Sequence, residues 1–208
     1  MEKDLTNRFY YDTIFLGEVM KRNLYIDCDG VIFDTMTNAF IEMEMLGIDT
    51  SDELAITNYF QNVNWHELIQ KSGQINDSIR KILLLKDSNL FNNVAIATHH
   101  CSYLEGKVKS MEFQELMPSV QVFNIPKKIP KHYAVNSHGN ILVDDSRKKI
   151  IDWINDGGYG VLFKQDINSL IYPTVTNPYF IINDLMDLVL INEFLDKYVS
   201  TKEKVKSR

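Results

Sequence analysis

The stretch Asn23-Leu24-Tyr25-Ile26-Asp27-Cys28-Asp29-Gly30-Val31-Ile32-Phe33-Asp34-Thr35 is an apolar run that ends abruptly in two carboxylates one residue apart. A run this short, rich in aromatic and β-branched residues and closed by Gly30, reads as a buried strand that delivers its C-terminal end to a site. Alternate side chains of a strand share a face, so Asp27 and Asp29 are expected to converge and to need a cation between them. A hard divalent ion, Mg²⁺ before others, suits that oxygen-only environment. The competing reading is an acidic turn after a strand, since Asp and Gly are ordinary turn residues. An EF-hand loop is disfavoured, because Gly30 comes before a third ligand has been supplied.

Working outward, 208 residues with 45% hydrophobic content can bury a substantial core, and one α/β domain with an insertion fits that length. Lysine and arginine number 22 against 28 aspartate and glutamate, a net charge of −6. Such a balance offers no broad attraction to nucleic acid polymers or anionic lipid, so a phosphate-bearing ligand must be held locally. The two cysteines, Cys28 and Cys101, form no C-x-x-C pattern, which points to reduced thiols and a cytoplasmic setting. Cys28 is expected to face away from the aspartates as a core thiol. No segment has the length of a membrane span, and Thr13 to Met20 is too short and wrongly flanked for a secretory signal.

Ahead of the first strand, the aromatic cluster Phe9-Tyr10-Tyr11 and the pair Phe15-Leu16 are expected to pack on the domain, with no function assigned. Residues 35–90 carry helical patterns: Phe40, Met43 and Leu46 on one face, then Leu54 to Phe60, Trp65 to Ile69 and Ile79 to Leu85. Ser51 or Asp52 is a plausible N-cap. A helical insertion of that length after a catalytic-looking strand suggests a small cap over a core made of residues 1–34 and 91–208. Tyr59, Phe60 and Trp65 are candidates either to face a ligand or to form the core of that cap.

A second buried strand, Asn93 to Thr98, ends in a hydroxyl and is followed by His99, His100 and a helical pattern from Tyr103 to Leu116. A strand end beside a helix N-terminus makes an anion pocket out of free N–H groups. The two histidines lack metal-ligand spacing and read as pocket-rim residues. A third strand, Val120 to Ile125, leads to the basic turn Pro126-Lys127-Lys128-Ile129-Pro130-Lys131. The fourth, Asn140 to Val143, ends in Asp144-Asp145 and repeats the logic of the first. An amphipathic helix from Ser146 to Asp156 turns Ile150, Ile151 and Trp153 inward, and Tyr159 to Phe163 is a fifth strand. A short strand and an amphipathic helix occupy Tyr179 to Tyr198, with a frayed basic tail from Ser200. Strand and helix alternation implies a parallel sheet whose site lies at the strand C-terminal ends.

As an ordered set, D-C-D-G at Asp27 to Gly30, the strand-ending Thr98, the downstream lysines and I-L-V-D-D at Ile141 to Asp145 resemble the haloacid dehalogenase (HAD) superfamily of phosphotransferases. The resemblance implies a Rossmann-like parallel sheet flanked by helices, with a helical cap inserted after the first strand. Within the superfamily, Ile141 to Asp145 with Trp153 and Gly157-Gly158-Tyr159-Gly160-Val161-Leu162-Phe163 is similar to the 5'-nucleotidase C group, which includes the 5'(3')-deoxyribonucleotidases. The roles then implied are a nucleophile at Asp27, a general acid and base at Asp29, and Mg²⁺ held by Asp27, the Asp29 backbone carbonyl, Asp144 and Asp145. Thr98, His99 and a lysine would hold the phosphate oxygens. The group's lysine lies on the helix after the second strand, which selects Lys107, while most of the superfamily places it where Lys131 stands.

The implied substrate is a small phosphate monoester, a nucleoside monophosphate first. A sugar phosphatase or phosphosugar mutase would use the same residues, and a non-catalytic binding protein would not need both aspartate pairs. The superfamily's dehalogenases lack the second aspartate, so Asp29 argues against that chemistry. Homodimerisation is left open.

Overall fold

The computed structural model describes residues 21–206; the aromatic clusters of the first 20 residues lie outside them. The central strand β1 (Asn23–Ile26) is flanked by β2 (Asn93–His100) and β4 (Ile141–Asp144). Outside these stand β3 (Gln121–Pro126) on one side, and β5 (Tyr159–Phe163) and β6 (Phe180–Ile182) on the other. The order is β3-β2-β1-β4-β5-β6, and every pairing is parallel. The chain builds outward from β1 in one direction and then returns to build in the other. The strand ends beside β1 therefore form the crevice where such sheets bind ligands.

Burial explains why these segments are strands. Leu24, Tyr25 and Ile26, like the whole of β4, are buried, as a strand covered on both faces must be. Leu24, Ile26, Ile96 and Val143 pack toward one layer, and Tyr25, Ala95, Leu142 and Trp153 toward the other.

Between β1 and β2 lie α1 (Thr35–Met45), α2 (Glu53–Asn62), α3 (Trp65–Ser72) and α4 (Ser78–Asp87). Asp52 caps α2 by accepting from the Leu54 N–H. Ala39, Met43, Tyr59, Phe60, Trp65 and Leu68 form a small core of their own. On α1 the buried face is Thr35, Ala39 and Met43, at i, i+4 and i+8; Phe40 and Leu46, expected on it, are exposed. The last helix, α4, sends Ile79, Ile82 and Leu85 into the core beneath the sheet. The neck of the insertion closes where the Ile32 carbonyl accepts both the Ile75 N–H at 2.8 Å and the Ser78 hydroxyl at 2.9 Å. Ile69 of α3 and Ile75 join α4 in the core beneath the sheet, so the later part of the insertion packs with the sheet.

The remaining helices are α5 (Tyr103–Leu116), α6 (Lys131–Ala134), α7 (Arg147–Asn155) and α8 (Asp187–Lys206), which runs on past the expected fraying point at Ser200. Among the described residues no helix is long and apolar enough to cross a membrane.

Candidate active site

Strand β1 stops at Ile26, one residue before the first aspartate. The Asp27 N–H still donates to the Val143 carbonyl at 2.9 Å, after which the chain turns tightly around the Cys28 carbonyl, which accepts from Ile32 at 2.8 Å and Phe33 at 3.1 Å. Gly30 makes this turn possible at φ 75°, a left-handed conformation that side chains disfavour. Strand alternation does not extend to Asp29, and the two aspartates bind different cations.

Asp27 is 2% exposed and enters a cluster with Asp144, Asp145, Lys131 and Lys149. Lys131 Nζ lies 3.0 Å from Asp27 Oδ1 and 2.6 Å from Asp144 Oδ2. Lys149 Nζ lies 2.9 Å from Asp27 Oδ2 and 3.3 Å from Asp144 Oδ1. Burial by itself would raise the Asp27 carboxyl, but the two ammonium groups outweigh it and hold it well below the usual carboxylate range. Asp144, buried beside Asp27, is raised. Asp145 has an exposed surface, yet protein surrounds most of its carboxyl; burial, then Asp144 and Asp27, push it up to about 7.

One oxygen from each of Asp27, Asp144 and Asp145 falls within 4.8 Å of the others. Three hard oxygen donors at that spacing suit a divalent cation such as Mg²⁺. The Asp29 side chain lies outside this trio. Its Oδ2 accepts from Lys109 at 2.5 Å and its Oδ1 from the Thr35 hydroxyl at 2.7 Å.

Lys109 is fully buried, although lysine seldom is without partners. It also donates to Glu105 Oε1 at 2.7 Å and to the His99 carbonyl at 3.1 Å, and it sits 4.8 Å from the Trp65 ring centroid. Burial opposes its charge, yet Asp29 and then Glu105 raise its pKa. The buried stripe of α5 is Glu105, Gly106, Lys109, Glu112 and Phe113. Lys107 is exposed, since two residues of helix carry a side chain roughly 200° around the axis from Glu105. The structure therefore puts Lys109, not Lys107, on the site face of α5, and the i, i+4 relation to Glu105 was the available signal. Lys149, four residues after Asp145 at the start of α7, is a further residue that reading α7 only for its apolar face overlooks.

Thr98 is fully buried, and β2 continues two residues beyond it; its hydroxyl donates to the His99 carbonyl at 3.3 Å. His99 lines the cleft, donating from Nε2 to the Ile129 carbonyl at 2.9 Å. Burial, then Lys131 and Lys149, pull its pKa down to about 4 against the opposing hydrogen bond, so the ring is neutral near pH 7. Cys28 is fully buried, and burial followed by the Asp29 carboxylate pushes its thiol well up, which leaves it a poor nucleophile.

Above these groups opens a cleft of about 600 Å³ lined by Asp29, Lys131, Asp145 and Lys149 on its floor and by Met36, Phe60 and Trp65 from the helical insertion. Lys127, Lys128 and Lys148 stand around it as well. Tyr59, Phe60 and Trp65 are all buried in the insertion's own core, where Phe60 and Trp65 stack at 5.8 Å.

No protein-family model and no curated protein sequence matches this chain. Solved structures do. YfnB from Bacillus subtilis, a magnesium-bound protein assigned to the HAD hydrolases, aligns with a TM-score of 0.55 at 14% identity, over 83% of this chain and 99% of its own. L-2-haloacid dehalogenase from Xanthobacter autotrophicus aligns at 0.51 and 14%, over 81% and 97%. Its form with chloropropionic acid covalently bound gives 0.51 and 13%, over 81% and 97%. The six-stranded parallel sheet and its flanking helices are the fold of the HAD-superfamily hydrolases.

Proposed function

We propose that the protein is a Mg²⁺-dependent phosphomonoesterase that works through an aspartyl phosphate on Asp27. The observation that carries this reading is the Asp27 carboxylate, buried yet held ionised by Lys131 and Lys149 at the C-terminal end of the central strand. An ionised, desolvated carboxylate directly behind Lys131, Lys149 and Asp145, which line the cleft, is a competent nucleophile toward phosphorus.

Asp27 attacks the phosphorus while Asp29, oriented by Lys109 and Thr35 and acting in its protonated form, gives that proton to the departing alkoxide. Water then attacks the acyl phosphate, its proton passes to Asp29, and phosphate leaves with Asp27 restored. A divalent cation on Asp27, Asp144 and Asp145 would supply charge neutralisation between nucleophile and phosphate. Lys131 contributes a charged donor for the phosphate oxygens, while His99, whose single ring N–H is spent on the Ile129 carbonyl, shapes the rim of the cleft. The insertion α1–α3, tied to α5 by Gln70 and His66 on Glu112, serves as the cap that walls the cleft on the substrate side.

Displacement of halide would need no acid for the leaving group, so the placement of Asp29 at the cleft favours the phosphatase. The finer reading, a nucleoside monophosphate of the 5'(3')-deoxyribonucleotidase type, rests on a cleft large enough for one and on its apolar wall of Met36, Phe60 and Trp65. A cytoplasmic setting accords with two free cysteines.

Phosphate release measured with Mg²⁺ over a panel of nucleoside monophosphates and sugar phosphates tests both levels. Release from deoxynucleoside monophosphates above hexose phosphates is expected. Preference for a hexose phosphate would overturn the finer reading, and absence of release from every member, with halide freed from a 2-haloacid instead, would overturn the phosphatase.

A further inference from the structure

Three carboxylates and two ammonium groups share one cluster, and two of the three donors that suit a divalent cation, Asp27 and Asp144, are already engaged. Lys131 and Lys149 each bridge Asp27 and Asp144. With both lysines in place the three carboxylates, when all are ionised, carry only about one negative charge in excess of the two ammonium groups, a weak inducement for a strongly hydrated divalent ion to shed water.

The two lysines are not equivalent. Lys131 opens α6, and its side chain is 2% exposed, enclosed with its partners. The Lys149 side chain also lines the cleft floor but is 31% exposed. A flexible four-carbon stem with open space beside it can move its ammonium to solvent, whereas an enclosed one cannot without unpacking its surroundings. Asp145, the third donor, lies on the open side of the cluster.

We propose that Lys149 is a built-in competitor of the divalent cation: its ammonium bridges Asp27 and Asp144 in the metal-free protein and must withdraw into the cleft when a metal binds. The consequence is a metal affinity set below what the three carboxylates alone would give. This rests on the proposed metal-dependent chemistry and deepens it.

Binding of Mn²⁺, followed by its EPR signal without substrate, tests the competition in the wild-type protein and in Lys149→Met and Lys149→Arg. Lys149→Met should bind Mn²⁺ about tenfold or more tighter, the scale of close charge-pair couplings. Lys149→Arg, which keeps a cation, should stay near wild type. Wild-type binding equal to or tighter than that of Lys149→Met overturns the competition and leaves the phosphatase standing. Failure of both proteins to bind Mn²⁺ removes the metal reading, and the competition with it. If Lys149→Met does not fold, amine labelling of the wild-type protein decides. Saturating Mg²⁺ should accelerate modification of Lys149 and leave Lys131 protected; an unchanged Lys149 rate overturns the proposal.

Discussion

The Asp145 carboxyl packs so closely on Gly30 that a Cβ built at Gly30 would meet Asp145 Cγ at 2.8 Å. The glycine therefore does two jobs: it adopts φ 75° in the turn after β1, and it leaves room for a carboxylate from the loop after β4. Gly30→Ala should cost roughly 1–2 kcal/mol of stability from the left-handed backbone alone. It should also weaken Mn²⁺ binding, because Asp145 must move out of the trio. Denaturant unfolding and metal titration check the two effects separately; an alanine variant with unchanged metal affinity would show that Asp145 is not a ligand.

Asp27→Asn replaces the proposed nucleophile by a near-isosteric neutral amide. Phosphate release should fall to background while the fold is retained, as read by circular dichroism. Asp29→Asn should bind substrate nearly as well as the wild type and turn it over far more slowly, a loss in kcat rather than a rise in KM. Full activity in either variant would strip that residue of its role.

Among the lysines, the structure ranks Lys131 and Lys109 far above Lys107. Lys131→Met leaves Asp27 and Asp144 facing each other with one ammonium fewer, and breaking a buried pair of this kind costs about 3–5 kcal/mol. Both unfolding free energy and turnover should drop. Lys107→Met, at an exposed position on α5, should change stability by less than about 0.5 kcal/mol. A crippled Lys107→Met enzyme beside an active Lys131→Met enzyme would reverse this assignment.

His99 provides a pH test. Its folded pKa of about 4 lies below the ordinary 6.5, so between those values the unfolded chain binds the extra proton. Its contribution to stability is complete above about pH 6.5 and is lost as the pH falls toward 4. In the metal-free protein the His99 ring should remain neutral by NMR down to about pH 4. Titration near 6.5 would show that the ring is solvated rather than enclosed between Ile129 and the lysines.

The alternation of buried strands with amphipathic helices, the sites of Asp27 and of Asp144-Asp145, and the insertion after β1 were all legible in the chain itself. Each rests on a local period or on a short apolar run closed by acids, and such patterns survive without knowledge of neighbours. What a period of two could not convey was where β1 stops: the ladder ends after Asp27, and a turn takes Asp29 to a different cation.

Only the tertiary structure decided which lysines meet which carboxylates. Parallel pairing of β1 with both β2 and β4 sets three strand ends side by side, so that residues far apart in sequence share one cluster. The phase of α5 then selects Lys109 over Lys107, and the packing of α7 on β4 and β5 brings Lys149 to Asp27. A helix reads the same in sequence whichever of its faces meets the sheet, and a buried lysine is recognised only when its partners are in view. Charge at this site is balanced across the sheet, between segments that no local pattern connects.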